Sequence, residues 1–284
     1  MKRKSLTRQV EETLKDKLRI GQSKHDAKVA GTAQEGIYSF KTLKTYMEQC
    51  NYFTRYCKEN YGCRYLGDCR KYADEYLQKR IDNGNSPYTL HLIRSALEKL
   101  YGDTSKDYIP LPQRKRQDIT RSRKEAVRDK HFSEKTHKSI VTFCKGSGLR
   151  RHELAQLRGK DRLYRDGKLY VLVRKGKGGK SREVPVLKEH QEEIERLMET
   201  AADDFVFPEV PNGMDVHGYR AEYATALYQR LKRPWFNIPA SECYYCRGDR
   251  KGTVLDKRAM LQVSRALGHN RISVIAGHYL IGVR

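Results

Sequence analysis

Four short segments of this chain each place a cation or an imidazole beside a backbone breaker. In GLRRHEL, residues 148–154, Arg150 follows a glycine turn and opens a helical pattern, where free peptide N–H groups and the helix dipole also favour an anion. In KGKGGKSREVPV, residues 175–186, Lys177 sits at the tip of a Gly-rich hairpin, free to reach a ligand. HGYR spaces His217 and Arg220 three residues apart, which on a helix puts both on one face. LGHNRISVIAGHYL sets His269 ten residues before Tyr279. The shared chemistry is recognition of an anion by fixed cations, with imidazole and phenol groups available for proton or nucleophilic work. Taken singly, each segment has an ordinary explanation as a solvated cation, a soluble turn, a chance pair or a packed ring.

The elements that must position these groups fall into two regions. Tyr38, Leu43, Tyr46, Met47, Cys50, Phe53 and Cys57 recur at helical spacing over residues 37–61, and further helices are predicted at 69–81 and, opened by Pro87, at 87–101. With a weaker pattern over 5–20, this gives an all-α N-terminal domain, residues 1–105. Residues 106–130 read as a basic linker containing Pro110 and Pro112, with eight Lys or Arg against three acids between Gln113 and Lys130. Residues 131–284 read as a mixed α+β, mainly helical domain with a small antiparallel sheet. Ser133 is expected to cap a helix running to Lys145, GSG to break it, and LRRHELAQL to restart it. KLYVLVR and SREVPV form a hairpin, and helices follow at 187–202, 215–232 and 256–267.

Composition sets the class of partner. Lys and Arg number 58 against 35 Asp and Glu in 284 residues, a net +23, and the isoelectric point is near 9.7. This is the balance of a polyanion binder. A mean hydropathy of −0.84 and a charged opening, MKRKSLTRQVEETLKDKL, lead to the expectation of a soluble, cytoplasmic protein without a signal peptide. The seven cysteines suggest no disulfide framework and are expected to be mostly buried thiols. Cys243-Tyr-Tyr-Cys246 has the spacing of half a zinc site, but no second pair lies nearby, so no metal or other cofactor is expected. The Tyr rings at helical spacing over 38–76 are expected to be core.

In this order and separation the four segments resemble the tyrosine recombinase, or phage integrase, family. The specific motifs span 148–280, while the two-domain layout extends the resemblance to the whole chain. It implies that Arg150 is the Arg of the Gly-Leu-Arg-x-x-Glu-Leu box with Glu153 at its Glu, and that Arg151 is a spectator. Lys177 falls on the hairpin lysine, His217 and Arg220 on the His-x-x-Arg box, His269 on the Leu-Gly-His box and Tyr279 on the nucleophile. The interval from His269 to Tyr279 is one residue longer than the commonest pattern, and His278 precedes the tyrosine where another residue is usual. Five residues follow Tyr279, where many relatives carry a further helix that docks on a neighbouring protomer.

The implied reaction is DNA cleavage and rejoining through a 3′-phosphotyrosyl intermediate, without nucleotide hydrolysis, in the service of integrating or excising a mobile element. Arg150 and Arg220 would clamp the non-bridging phosphate oxygens, with guanidinium forks suited to that geometry. Lys177 would protonate the leaving 5′ oxygen, His217 would act as base or positioner, and His269 would hydrogen-bond a non-bridging oxygen. The implied partners are double-stranded DNA, a homo-tetramer on two DNA sites, and accessory DNA-bending or directionality factors, with no membrane and a nucleoid-associated location when bound. Arg114, Lys115, Arg116, Arg121, Arg123 and Lys124 are candidate phosphate contacts. Two alternatives keep the fold: a catalytically degenerate DNA-binding protein and a type IB topoisomerase-like enzyme.

Overall fold

The computed structural model describes residues 4–115, 132–176, 179–247, 250–280, 282 and 283. By contact the chain divides into two compact units, Met1–Arg114 and Lys115–Arg284.

The first unit is helical: α1 (Leu6–Asp16), α2 (Lys24–Val29), α3 (Phe40–Tyr61), α4 (Leu66–Cys69), α5 (Ala73–Asp82) and α6 (Pro87–Tyr101). Serines open the long helices. Ser39 and Ser86 each accept from the N–H three residues on, at 3.1 and 3.2 Å, and Pro87 takes the first helical position of α6, where no N–H is needed. The apolar stripe of α6, including Leu90, Ile93, Leu97 and Leu100, is buried. It packs with Phe53, Cys57 and Leu77 on one side and with Val10, Leu14 and Cys50 on the other. The tyrosines divide: Tyr76 is core, whereas Tyr52, Tyr61 and Tyr65 are exposed, with Tyr61 stacked on Tyr72 at 3.7 Å. Expecting all these rings inside was too broad, because a helix stripe this wide runs past the edge of so small a core.

Among the described residues the second unit has first α7 (Lys138–Ser147) and α8 (Arg151–Leu154), then the antiparallel sheet β1 (Arg162–Arg165), β2 (Lys168–Val173) and β3 (Arg182–Pro185), in that spatial order. Then come α9 (Gln191–Ala201), α10 (Val216–Leu231), a hairpin of β4 (Cys243–Tyr245) and β5 (Val254–Asp256), α11 (Lys257–Ala266) and α12 (Ile272–His278). Leu169, Val171 and Val173 point alternate side chains of β2 into a core shared with Phe143, Leu154, Val184, Ile194, Tyr219, Tyr223 and Val263.

Three local expectations change. Ser133 does not cap α7: its hydroxyl accepts from Thr136 N at 3.3 Å in a separate turn, and Phe132 stacks on His137 at 5.0 Å, so the helix starts only at Lys138. The GSG segment does end α7, but at its last residue: the helix runs through Ser147 and stops at Gly148 in the left-handed conformation (φ 59°). The hairpin also gains an edge strand, β1, joined to β2 through Asp166 and Gly167, both at positive φ.

Candidate active site

Gly148 begins the site for two physical reasons. Its φ of 59° suits glycine, and a Cβ there would stand 2.3 Å from the Tyr223 ring. The turn therefore brings the chain hard against α10 and delivers Arg150 as the cap of α8. The N terminus of that short helix is already occupied by an anion of its own: Glu153 Oε2 accepts from Arg150 N at 2.8 Å and Oε1 from Arg150 Nη1 at 2.8 Å. The expectation of free N–H groups there gives way to an internal carboxylate.

Glu153 has a second cationic partner. From β3, Arg182 donates Nη1 and Nη2 to the two carboxylate oxygens, both at 2.8 Å, and Nε to the Ala266 carbonyl at 2.8 Å. The Glu153 side chain is fully buried. Burial alone would raise its pKa, but the Arg182 fork and the Arg150 contacts overcome this and bring it down to about 2.

Arg151 is no spectator. Its Nη1 donates to the Val210 and Pro211 carbonyls at 3.2 and 2.5 Å, and its Nη2 to those of Asn212 and Met214 at 3.1 and 2.8 Å. One guanidinium thus gathers the loop that leads into α10, the helix bearing His217 and Arg220. Asp215 caps that helix by accepting from Gly218 N at 3.0 Å.

Arg220 is 1% exposed. Its Nη1 donates to the Gly148 carbonyl and its Nη2 to the Leu267 carbonyl, an oxygen that also accepts Arg150 Nη2 at 2.9 Å. Burial lowers the Arg220 pKa while Tyr279 opposes the shift, yet a guanidinium keeps its charge at any physiological pH. His217 is exposed at its outer edge, and its pKa lies below the usual imidazole value. The packing around the ring is the main cause and Arg220 the next; Asp215 opposes them, and Arg150 and Arg151 add to the lowering.

Tyr279 follows α12 directly and is half-buried against the core. Its Oη accepts from Arg220 Nε at 3.2 Å and lies 3.2 Å from His269 Nε2. His269 is held by its own backbone: its N–H donates to Ser264 O at 2.8 Å and its carbonyl accepts from Ser264 Oγ at 3.0 Å. Arg150, Arg220, His269 and Tyr279 therefore form one connected cluster, and the charges of Arg220 and Arg150 reach His217.

Lys177 lies outside the described residues, as do Arg116, Arg121, Arg123 and Lys124; Arg114 and Lys115 are exposed. The base of the Lys177 hairpin is closed by Gly176 N on Lys180 O at 2.9 Å. Cys243 and Cys246 bracket β4. Cys243 Sγ donates to the Ile238 carbonyl at 3.8 Å, and among the described residues no three His, Cys, Asp or Glu side chains gather as a metal site.

Residues 117–233 match the model of the phage integrase family. The match covers this one segment of the chain. It contains Arg150, Lys177, His217 and Arg220, while His269 and Tyr279 lie beyond it and are brought to it by the fold. Among solved structures, the chain is similar to the XerH site-specific recombinase bound to palindromic difH substrate in a post-cleavage complex (TM-score 0.53, 18% identity, 96% of this chain and 91% of that one). It is also similar to the Tn1549 transposon integrase in complex with circular intermediate DNA (TM-score 0.50, 14% identity, 97% and 95%). No curated protein sequence matches. The mostly helical fold with a small antiparallel sheet is that of these recombinases, and among the described residues no helix is long and apolar enough to cross a membrane.

Proposed function

We propose that this protein is a site-specific DNA recombinase that cuts and rejoins duplex DNA through Tyr279, integrating or excising a mobile element. The observation that carries this reading is the Tyr279 hydroxyl, set 3.2 Å from both Arg220 Nε and His269 Nε2 beside a second guanidinium, Arg150, that shares an acceptor with Arg220. A protonated phenol is a weak nucleophile toward a phosphodiester, so it needs cations on the phosphate and an acceptor for its proton.

In the proposed step Tyr279 Oη bonds to phosphorus and the bond to the 5′ oxygen breaks. Arg150 and Arg220 neutralise the charge gathering on the non-bridging oxygens. His269 is within hydrogen-bond reach of the phenol proton, and the neutral imidazole of His217 is available as a further acceptor or positioner. The leaving 5′ oxygen takes its proton from Lys177, a role that rests on the family resemblance. The linkage energy is kept in the phosphotyrosyl bond, and reversal by a second 5′ hydroxyl reseals the strand. The helical unit and the basic stretch from Arg114 to Lys124 serve the DNA backbone, and the working assembly is a tetramer on two sites.

The test is a nicked suicide duplex carrying the target site, resolved on a denaturing gel. Wild-type protein is expected to give a covalent adduct and Tyr279→Phe none. An adduct that persists in Tyr279→Phe removes the nucleophile, and an intact protein that binds its target without any adduct points to the binding-only reading. Relaxation of a supercoiled plasmid without exchange between two sites points to the topoisomerase-like one.

A further inference from the structure

Among the described residues the β4–β5 hairpin supplies no group to the Arg150–Arg220–His269–Tyr279 cluster, yet Arg250 beside its turn reaches the segment that carries Tyr279. Its base is fixed firmly. Asp256 accepts from Arg233 Nε at 2.9 Å and Nη2 at 2.7 Å, and its own N–H donates to the Tyr228 hydroxyl at 2.9 Å. Leu255 and Cys246 are buried in the core, and Cys246 N donates to Thr253 O at 3.0 Å, extending the ladder toward the turn.

From that turn Arg250 donates Nη1 to the Ala276 carbonyl at 2.9 Å and Nη2 to the Val283 carbonyl at 2.7 Å. These acceptors lie on either side of Tyr279. The carbonyl of Ala276 is open to an outside donor because α12 ends there: Tyr279 N and Leu280 N both turn back to Ile275 O, at 3.0 and 3.1 Å. A third donor, Thr225 Oγ1 on α10, takes the carbonyl of Tyr279 itself at 3.2 Å. The tyrosine segment is thus held at three carbonyls by side chains from two other elements. A planar fork can span two carbonyls at once, which an ammonium group does poorly.

We propose that Arg250 is a positioning residue for Tyr279: by bridging the carbonyls of Ala276 and Val283 it fixes where the phenol oxygen stands relative to Arg220 and His269. Its part in the reaction rests on the reading of Tyr279 as the nucleophile; the clasp itself does not. The hairpin that carries the Cys243–Cys246 pair thereby acquires a role in presenting Arg250.

The experiment uses the full chain as wild type, Arg250→Ala and Arg250→Lys, with two readouts. Hydrogen exchange of the free protein is expected to quicken by roughly tenfold in the peptide containing Tyr279 for Arg250→Ala, with α10 unchanged. On saturating nicked duplex, the rate of adduct formation is expected to fall about 10- to 100-fold while the half-saturating DNA concentration stays within about twofold. Arg250→Lys should lie between wild type and Arg250→Ala in both. Unchanged exchange around Tyr279 overturns the clasp. A loosened segment with a wild-type adduct rate overturns its link to the reaction, and loosening of α10 in the Lys variant as well makes Arg250 a residue of general stability instead. If wild-type protein gives no adduct while exchange still responds, the nucleophile reading falls and Arg250's part in catalysis falls with it.

Discussion

Arg150 and Arg220 donate to one and the same oxygen, the carbonyl of Leu267. The two residues come from different elements, the turn before α8 and the second turn of α10, and a single peptide plane sets the spacing of their forks. Neither cation can shift without disturbing the acceptor of the other.

This sharing makes the two lesions non-additive. Arg150→Ala and Arg220→Ala are each expected to slow single-turnover cleavage by about 10²- to 10³-fold, the scale of losing one stabilising donor. The double variant should lose less than the product of the two. Duplex affinity, measured by gel shift at fixed salt, should change by no more than a few-fold, because many other cations share the phosphate contacts. A loss of binding equal to the loss of cleavage would count against both as transition-state residues.

The buried Glu153 carboxylate predicts acid sensitivity in the second unit. Its folded pKa of about 2 lies below the ordinary 4.5. The stabilisation is therefore present above about pH 4.5 and is lost as pH falls toward 2. Glu153→Gln leaves Arg182 and Arg150 facing a neutral amide, and removing one partner of a buried pair costs about 3–5 kcal/mol. Urea melts from pH 7 to pH 3 should show the wild type weakening with acid and the variant weak already at pH 7, with a flatter profile.

His217 sets a different limb. Its pKa lies below 6.5, so the imidazole is neutral at pH 7 and charges only in more acidic solution. If the neutral form assists the step, cleavage at saturating DNA falls as pH drops below about 6.5, and His217→Gln lowers the plateau while flattening that limb. An acid limb that survives in His217→Gln would assign it to another group, with His269 the next to test.

Much of the site was legible in the sequence because its pieces are local. Gly148 next to Arg150 and the three-residue spacing of His217 and Arg220 each belong to one turn or one helix face. Pro87 and the apolar spacing over 87–101 gave α6 its observed span. What could not be read were partnerships across the chain. Arg182 reaches back 29 residues to Glu153 and Arg151 reaches 59 to 63 residues forward to the loop before α10. Nothing in LRRHEL says which arginine joins Arg220 at the Leu267 carbonyl and which ties down a loop. Strand β1 had a usable signal, Asp166-Gly167 between Tyr164 and Leu169, a two-residue hairpin turn. The short β4–β5 pair had none, since three-residue strands carry no periodicity to count.

The contact between Gly148 and the ring of Tyr223 ties these arrangements to plain steric fit. The same ring sends its hydroxyl to the Pro185 carbonyl at 2.7 Å, so one aromatic side chain keys a turn, a helix and the end of a strand. Position 148 can take on bulk only if position 223 gives it up, and giving it up releases the strand. The placement of two guanidinium groups is in this way inherited from a van der Waals boundary and from a left-handed backbone at position 148, a strain that a smaller residue at position 223 would not relieve.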